Sequence, residues 1–408
     1  MAKNQIDAKI LGRVGLNLEP PNTLPDALNS DEVLEIRWMP TTEKMTSVLE
    51  AHREWCESDG TNGQKADLSY ANLSGADLSG ERLRSANFSK ALLHGVNLSG
   101  ADLRGADFSG EDIGDDGADL LGADLRDANL SEADFANADL AGADLTGANL
   151  SEAVLVGSNI KEATGLMEGN FAGAKLADID LSETYLLNVD LSGALLLRAD
   201  LSEAWLTGAN LSSAELKYAN LSGAKLQLAN LSRADAEKAD LSEADLEGVD
   251  LSEAKLQGAE LAEARLQSAD FSKARLDDAD LDGVEGFQAA QVRGASLSLT
   301  TLPDAVQEFA GLSTARATTQ SAKKLFISVL VACAYAALAV TLKTGNTETI
   351  QLPIVGLSIG TGSFYFVTPV LLMLLFGYFH LQMQRLWREL AQLPTIFPDG
   401  KPVDGKDS

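Results

Sequence analysis

A five-residue phrase, Ala-Asp-Leu-Ser-Gly and its variants, recurs from Ala66 to about Leu299 and leaves this chain few folds to choose from. The large apolar residue of each phrase is its centre. Centres fall at Leu68, Leu73, Leu78, Leu83, Phe88, Leu93, Leu98, Leu103 and Phe108. A small residue stands two positions before nearly every centre, as at Ala66, Ala71, Ala76, Ala86 and Ala91. A spacing of two keeps both side chains on one face of an extended segment. The three-residue gap that follows lets the chain turn a corner. A helix needs apolar residues three and four apart in a drifting stripe, which a fixed period of five does not supply. A short period sustained this long marks a solenoid, in which each coil buries its apolar side only by stacking on the next.

A second period bears on the number of sides. Ser follows the centre at 69, 79, 89, 99 and 109, and again at 182, 192, 202, 212, 222, 232, 242 and 252. The intervening positions are mixed: Arg84, His94, Arg104, Leu187, Leu197, Lys217 and Glu237. Sides therefore alternate in kind and their number is even. Two sides cannot enclose a row of leucines, so four is the smallest sensible number.

The register slips three times. With Ile113 read as a centre, two residues are extra before Leu120, around Gly114–Gly117; one is extra between Ile160 and Phe171, near Gly165 and Leu166; one is extra between Leu281 and Phe287. With Leu166 counted as a degenerate centre, the ten-residue Ser phase is expected to run through the first two slips, from Ser109 to Ser131, Ser151 and Ser182. The extra residues then bulge from one continuous rod. Four phrases per coil give about 11 coils, and a rise of about 4.8 Å per coil gives a rod of about 55 Å.

Ala-(Asp/Asn)-Leu-x-x repeated in this way resembles the pentapeptide-repeat family. The resemblance implies an all-β repeat fold, a right-handed four-sided (quadrilateral) β-helix solenoid. It also implies that the Leu and Phe centres and the preceding Ala fill the interior while the other three residues face out. Ala236 at a centre then leaves an underfilled spot.

The flanks divide the chain further. Residues 1–41 are an irregular N-terminal segment, in which Leu34, Ile36 and Trp38 share one side of a short strand within Val33–Met39. Residues 42–65 read as a helical cap over the first coil, whose open edge would otherwise invite aggregation. Thr41 or Thr42 starts the helix, Met45, Val48, Leu49, His52, Trp55 and Cys56 form its stripe, and Gly60 and Gly63 end it. Leu49-x-x-His52-x-x-Trp55 before glycines also resembles the lead-in of many pentapeptide-repeat proteins. Residues 66–299 are the β-helix and 300–321 a linker, with Pro303 to Phe309 a short helix capping the last coil.

Residues 322–384 carry two expected transmembrane helices. Leu325 to Leu342 holds no charge, and a second apolar run goes from Phe364 to Met383, bent at Pro369. Arg316, Lys323 and Lys324 precede the pair, Arg385, Arg388 and Lys401 follow it, and the loop between has only Lys343. The positive-inside rule then puts the N-terminus, the rod and the tail 385–408 in the cytoplasm, on a multi-pass inner-membrane protein. Leu352–Gly356, Phe364–Pro369 and Leu393–Gly400 resemble the tail of bacterial membrane proteins carrying pentapeptide repeats. Many of those continue beyond the point matching Ser408, so truncation would have removed a further part.

Chemistry of the residues narrows the function. The formal charge is −28, and residues 300–408 hold eight Lys/Arg against seven Asp/Glu, so the acidity lies before residue 300. Direct nucleic-acid binding needs the opposite sign, whereas DNA mimicry or a basic protein partner fits. Cys56 and Cys333 form no disulfide framework or zinc spacing, and Met1 to Leu18 has no cleavable signal peptide. His52, His94 and His380 are scattered and offer no triad, so no enzyme and no cofactor are expected. His52 beside Cys56 reads as packed core in preference to a ligand or nucleophile pair. Columns such as Asp190, Asn210, Asn230, Asp250 and Asp270 stack coil on coil, the Asn relieving carboxylate repulsion. No convergent ligand loop marks a divalent-cation site. The Ser hydroxyls are expected to bond corner backbone groups.

Twenty-residue spacing puts Tyr185, Trp205 and Lys225 on one side, with Leu187 and Thr207 beside them, and Leu195 and Leu197 on the opposite side. Tyr185, Leu187, Trp205, Leu195 and Leu197 are the candidate partner contacts; a loop near residue 166 folding over Tyr185 is the alternative. The membrane anchor is marked by Leu325, Leu342, Phe364, Pro369 and Met383. The leading reading is a non-catalytic, membrane-anchored scaffold whose acidic rod meets an unknown protein partner, with lipid as second partner and homo-oligomerisation allowed for. The alternatives are a DNA mimic modulating a topoisomerase, as in relatives that resemble quinolone-resistance proteins, and a secreted membrane-associated bacterial effector.

Overall fold

Each five-residue phrase makes one side of a square coil, and four phrases close it. In the computed structural model, which describes residues 38–110, 116–302, 310–341, 349–351, 358–391 and 393–394, Asp67 pairs with Asn87, Asn72 with Leu92, Asp77 with Asn97 and Arg82 with Asp102, all parallel and 20 residues apart. The centre's N–H donates to the next coil and the following coil donates back. Leu68 N–H meets the Asn87 carbonyl at 2.7 Å, and Asn87 N–H meets the Ala66 carbonyl at 2.9 Å. Corners close locally, as in Ala76 N–H to the Leu73 carbonyl at 2.9 Å. The second residue after the centre takes positive φ, as type II turns require. Gly75 and Gly80 do so without cost, but Glu183 (60°) and Leu228 (60°) are held there too. A non-glycine in this region costs about 1–2 kcal/mol, which the backbone bonds of two adjoining coils offset.

The four faces are named here by their first centres: Leu68, Leu73, Leu78 and Leu83. The first face stacks Leu68, Phe88, Phe108, Phe135, Leu155, Leu176, Leu196, Leu216, Ala236, Leu256, Leu276 and Leu297, twelve tiers of fully buried side chains. Phe88 lies on Phe108 with ring centroids 5.0 Å apart, and Phe108 lies on Phe135 at 4.6 Å.

That last pair corrects the first slip. Leu92 pairs with Asp119 and Asp107 with Asp134, 27 residues apart, so Leu120 is the centre directly after Phe108 and seven residues are extra, not two. Ile113 is therefore no tier of the column; residues 111–115 themselves lie outside the described residues. The Ser phase does not survive. Ser131 stands over Arg104 on the fourth face, while Ser109 is followed on the first face by Ala136. Apart from Ser74 on the second face and Ser298 on the first, Ser follows the centres of the first and third faces below the loop, and those of the second and fourth faces from Ser182 upward. The other two slips each add one residue: Asn149 pairs with Asn170 and Arg275 with Ser296, 21 apart.

Helix α1 (Thr42–Glu57) precedes the rod, capped by the Thr41 hydroxyl accepting from Lys44 N–H at 3.3 Å. Met45, Leu49 and His52 are buried. Arg53 reaches Glu81 at 3.4 Å and Arg82 reaches Glu57 at 3.2 Å. Gly63 is needed for close approach, since a Cβ there would lie 2.2 Å from the Ala51 carbonyl oxygen. Trp38 pairs in parallel with Ala71 and donates from its indole to the Ser69 carbonyl at 3.2 Å. The rest of the strand expected at Val33–Met39, Leu34 and Ile36 included, lies outside the described residues.

Helix α2 (Ala310–Thr341) begins inside the stretch read as linker. The short helix expected at Pro303 to Phe309 lies outside the described residues, as does Leu342. Strands β1 (Thr349–Gln351) and β2 (Ser358–Gly360) pair antiparallel, and helix α3 (Thr361–Leu390) follows. The two long helices pack on one another, Phe326 meeting Phe379 at 5.6 Å. Just past α3 the chain returns to the rod. Leu393 is buried with its last coil and accepts from Gly294 N–H at 3.0 Å, and Leu390 packs against the same core. Among the described residues, Thr361–Arg388 is the one helix long and apolar enough to cross a membrane.

Candidate interaction surface

With centres and small residues facing inward, only the three other residues of each phrase are available for chemistry. Most of those are locked into the coil. Ser182 donates from both N–H (3.0 Å) and Oγ (2.6 Å) to Asp180 Oδ1, and Ser202 does the same to Asp200. The Ser hydroxyls therefore serve the side chain two residues earlier rather than the corner backbone. Asn serves as well as Asp, as where Ser222 donates from N–H (3.1 Å) and Oγ (2.7 Å) to Asn220 Oδ1, so it is the reach of the side-chain oxygen and not its charge that decides. Asn links tiers as expected: Asn210 Nδ2 donates to Asp190 Oδ1 at 3.0 Å and Asn220 to Asp200 at 3.1 Å.

Ion pairs also run from tier to tier. Arg198 grips Asp178 with two bonds of 2.6 Å, which hold the Asp178 carboxyl below the usual range. Glu253 accepts from Lys273 and Arg233, both at 3.1 Å, and is likewise lowered. Among the described residues, no group of His, Cys, Asp or Glu is placed to hold a metal ion.

The third face departs from this pattern over two tiers. Tyr185 and Trp205 are paired residues of adjacent coils, their rings stacked at 5.6 Å and 25°, and they are 60% and 43% exposed. Leu187 lies half-buried on the same face. The bulge at Gly165 and Leu166 does not fold over them. Gly165 sits tight on the coil beneath, where a Cβ would come 2.2 Å from Thr146 N, and Tyr185 stays open. Trp205 pairs on its other side with Lys225, whose Nζ turns back to the Gly223 carbonyl at 2.7 Å and to Glu203 at 3.7 Å. Leu195 and Leu197 lie half-buried on the first face, so the five candidate contacts form two separate patches.

One contributor escapes a reading of the repeat. Met167, 51% exposed, follows the degenerate centre Leu166 and stands one tier below Leu187. Its signal is its place 20 residues before Leu187, which holds with Leu166 counted as a centre.

The His52–Cys56 pair is structural. His52 Nδ1 accepts from Ala66 N–H at 3.0 Å, which leaves Nε2 carrying the proton beside Cys56 Sγ at 3.5 Å. Burial, with the Lys65 charge adding to it, lowers the His52 pKa, and burial raises that of Cys56. A raised thiol beside an imidazole already engaged is not an activated nucleophile. Of the residues expected to mark a membrane anchor, Leu325 and Met383 are half-buried, Phe364 is buried, and Pro369 lies inside α3. Outward apolar side chains line α3, among them Phe366, Met373, Leu374 and Phe376.

Comparison with protein families matches pentapeptide repeats from residues 56–80 through 259–298. The chain belongs to the pentapeptide-repeat family. The repeats of this family imply a right-handed quadrilateral β-helix, in accord with the four faces seen here. Among solved structures, this chain is similar to HetL, a pentapeptide repeat protein involved in heterocyst differentiation regulation from the cyanobacterium Nostoc sp. strain PCC 7120. Identity is 31%, over 62% of this chain and 95% of HetL, with a TM-score of 0.25. It is also similar to Rfr23 from the cyanobacterium Cyanothece 51142, with 36% identity over 28% and 69% and a TM-score of 0.23. A third is QnrB1, a plasmid-mediated fluoroquinolone resistance protein, with 19% identity over 43% and 81% and a TM-score of 0.26. A search of curated proteins gives no match.

Proposed function

We propose that this pentapeptide-repeat chain is a non-catalytic, membrane-anchored scaffold that holds a stiff acidic rod beside the bilayer and meets a protein partner through the Tyr185–Trp205 face. The observation carrying this reading is the stacked, exposed aromatic pair on a rod whose outward residues are otherwise mostly small or polar. Aromatic side chains of this kind are costly in water and favoured as interface anchors. The anchor reading draws support from α3 and from its packing with α2. A two-pass arrangement with both ends on the rod's side fits Leu393, which returns to the last coil after α3. The cationic flanks at Arg316, Lys323, Lys324, Arg385 and Arg388 favour the cytoplasmic side of a bacterial inner membrane.

Crosslinking and pull-down from native membranes tests it, with the intact chain and Trp205→Ala compared. Loss of a specific protein partner from the variant is expected; unchanged association removes the reading. A second reading, a DNA mimic acting on a topoisomerase, draws on the acidic column of the second face, Asp180, Asp200, Asp240 and Asp280. Inhibition or protection of gyrase supercoiling by the rod would favour it.

A further inference from the structure

We infer that the third face between Gly165 and Trp205 is a docking site for an arginine-bearing extended segment of a protein partner, with the guanidinium laid on the free face of the Tyr185 ring and paired with Glu183. The inference rests on the scaffold reading and names the chemistry of the partner.

Tyr185 uses one ring face on Trp205. Its other face looks toward the tier below, where its own column holds the short Thr164 and Gly165. The array has two other tyrosines, and each carries a cation of its own: Lys90 lies 5.8 Å from the Tyr70 ring centre and Lys238 lies 5.5 Å from that of Tyr218. Among the described residues, no cation covers Tyr185. The corner just before this face adds the matching charge. Glu162, Glu183 and Glu203 stand two residues before Thr164, Tyr185 and Trp205, in successive tiers. Glu203 is shared with Lys225, whereas Glu162 and Glu183 have no ion-pair partner among the described residues. An open ring face bordered by free carboxylates attracts a cation. Arginine fits better than lysine, because its planar fork stacks and pairs at once. Leu187 and Met167 on the far side of the face supply apolar contact for the neighbouring residues of such a segment. The net charge of −28 steers it in.

The test uses the full chain in detergent and a 12-residue Gly/Ser peptide carrying three arginines, with lysine and citrulline versions, titrated calorimetrically. The arginine peptide is expected to bind most tightly and the citrulline peptide least. Tyr185→Ala and Glu183→Gln should each weaken arginine-peptide binding by about five- to tenfold. Asp250→Asn with Asp270→Asn, on the fourth face, should leave it within twofold. Weaker binding by the fourth-face variant, with Tyr185→Ala unchanged, would mean diffuse attraction to an acidic rod and would overturn the inference. So would self-association of the chain that Tyr185→Ala abolishes without peptide, since a second copy would then occupy the face. If the membrane partner is lost with Trp205→Ala but kept with Glu183→Gln, and the peptides show no preference, the scaffold reading stands and this one fails.

Discussion

Ala236 stands where the other tiers of its column hold leucine or phenylalanine, yet its backbone keeps the stacking register, with Ala236 N–H to the Lys255 carbonyl at 2.8 Å. The space of a leucine is therefore underfilled. Ala236→Leu is expected to raise the unfolding free energy by about 1–3 kcal/mol, read as a higher denaturant midpoint; a lower midpoint would mean that neighbours already fill the gap. Single protonations matter in two separate pH windows. His52 is held neutral, its pKa lowered by burial and then by Lys65. The unfolded chain takes up that proton below about pH 6.5, so the stability this site contributes is present above that value and falls as pH drops through the folded pKa. The effect is at most about 1.4 kcal/mol per pH unit. The protection factor of the Ala66 amide, its exchange corrected for the intrinsic rate at each pH, should therefore drop between pH 7 and 5, and His52→Asn should flatten that dependence. Asp178 and Glu253 act lower. Held down by Arg198, and by Lys273 and Arg233, they stabilise the rod above about pH 4 and cease to do so as pH falls through their folded values.

Elements outside the repeat pack on both ends of the rod. At the start these are α1 and Trp38; at the finish, Leu390 and Leu393. An unpaired coil edge is a template for another chain. Leu393→Asp is expected to expose the last coil and increase aggregation in light scattering, with little change in the far-ultraviolet spectrum; unaltered scattering would mean that Leu393 covers nothing essential. The helix α1 was legible, because Thr41, the stripe from Met45 to Cys56 and the terminal glycines all carry local signals. The contact at Leu393 was not, because it lies 99 positions from Gly294 and leaves no periodic trace. The loop after Phe108 was misread for a related reason. A gap of twelve residues between centres divides equally well into five and seven, and Ile113 is apolar enough to pass as a centre. The pairing of Leu92 with Asp119 and of Asp107 with Asp134, together with the stacking of Phe108 on Phe135, selects the longer loop.

At the scale of the whole molecule, the period of five and the alternation of sides already specify four faces and the identity of the core. Which face a partner would read depends on counting tiers across the slips. Tyr185 and Trp205 lie above two of them, so their shared side could be read only within their own uninterrupted stretch. Met167, below them, follows a centre as degenerate as Leu166 and is marked by one signal alone, its spacing of 20 from Leu187. Rod and helices together make a molecule whose charge and greasy surface are kept apart, with the acidity before residue 300 and the apolar exposure on α2 and α3. The most direct measurement is photocrosslinking in native membranes with a crosslinking residue at position 185, against the same residue at position 230 on the fourth face. The account predicts a discrete protein adduct from position 185, in the membrane fraction, and none from position 230. Equal adducts from both positions, or recovery of the intact chain in the soluble fraction, would contradict it.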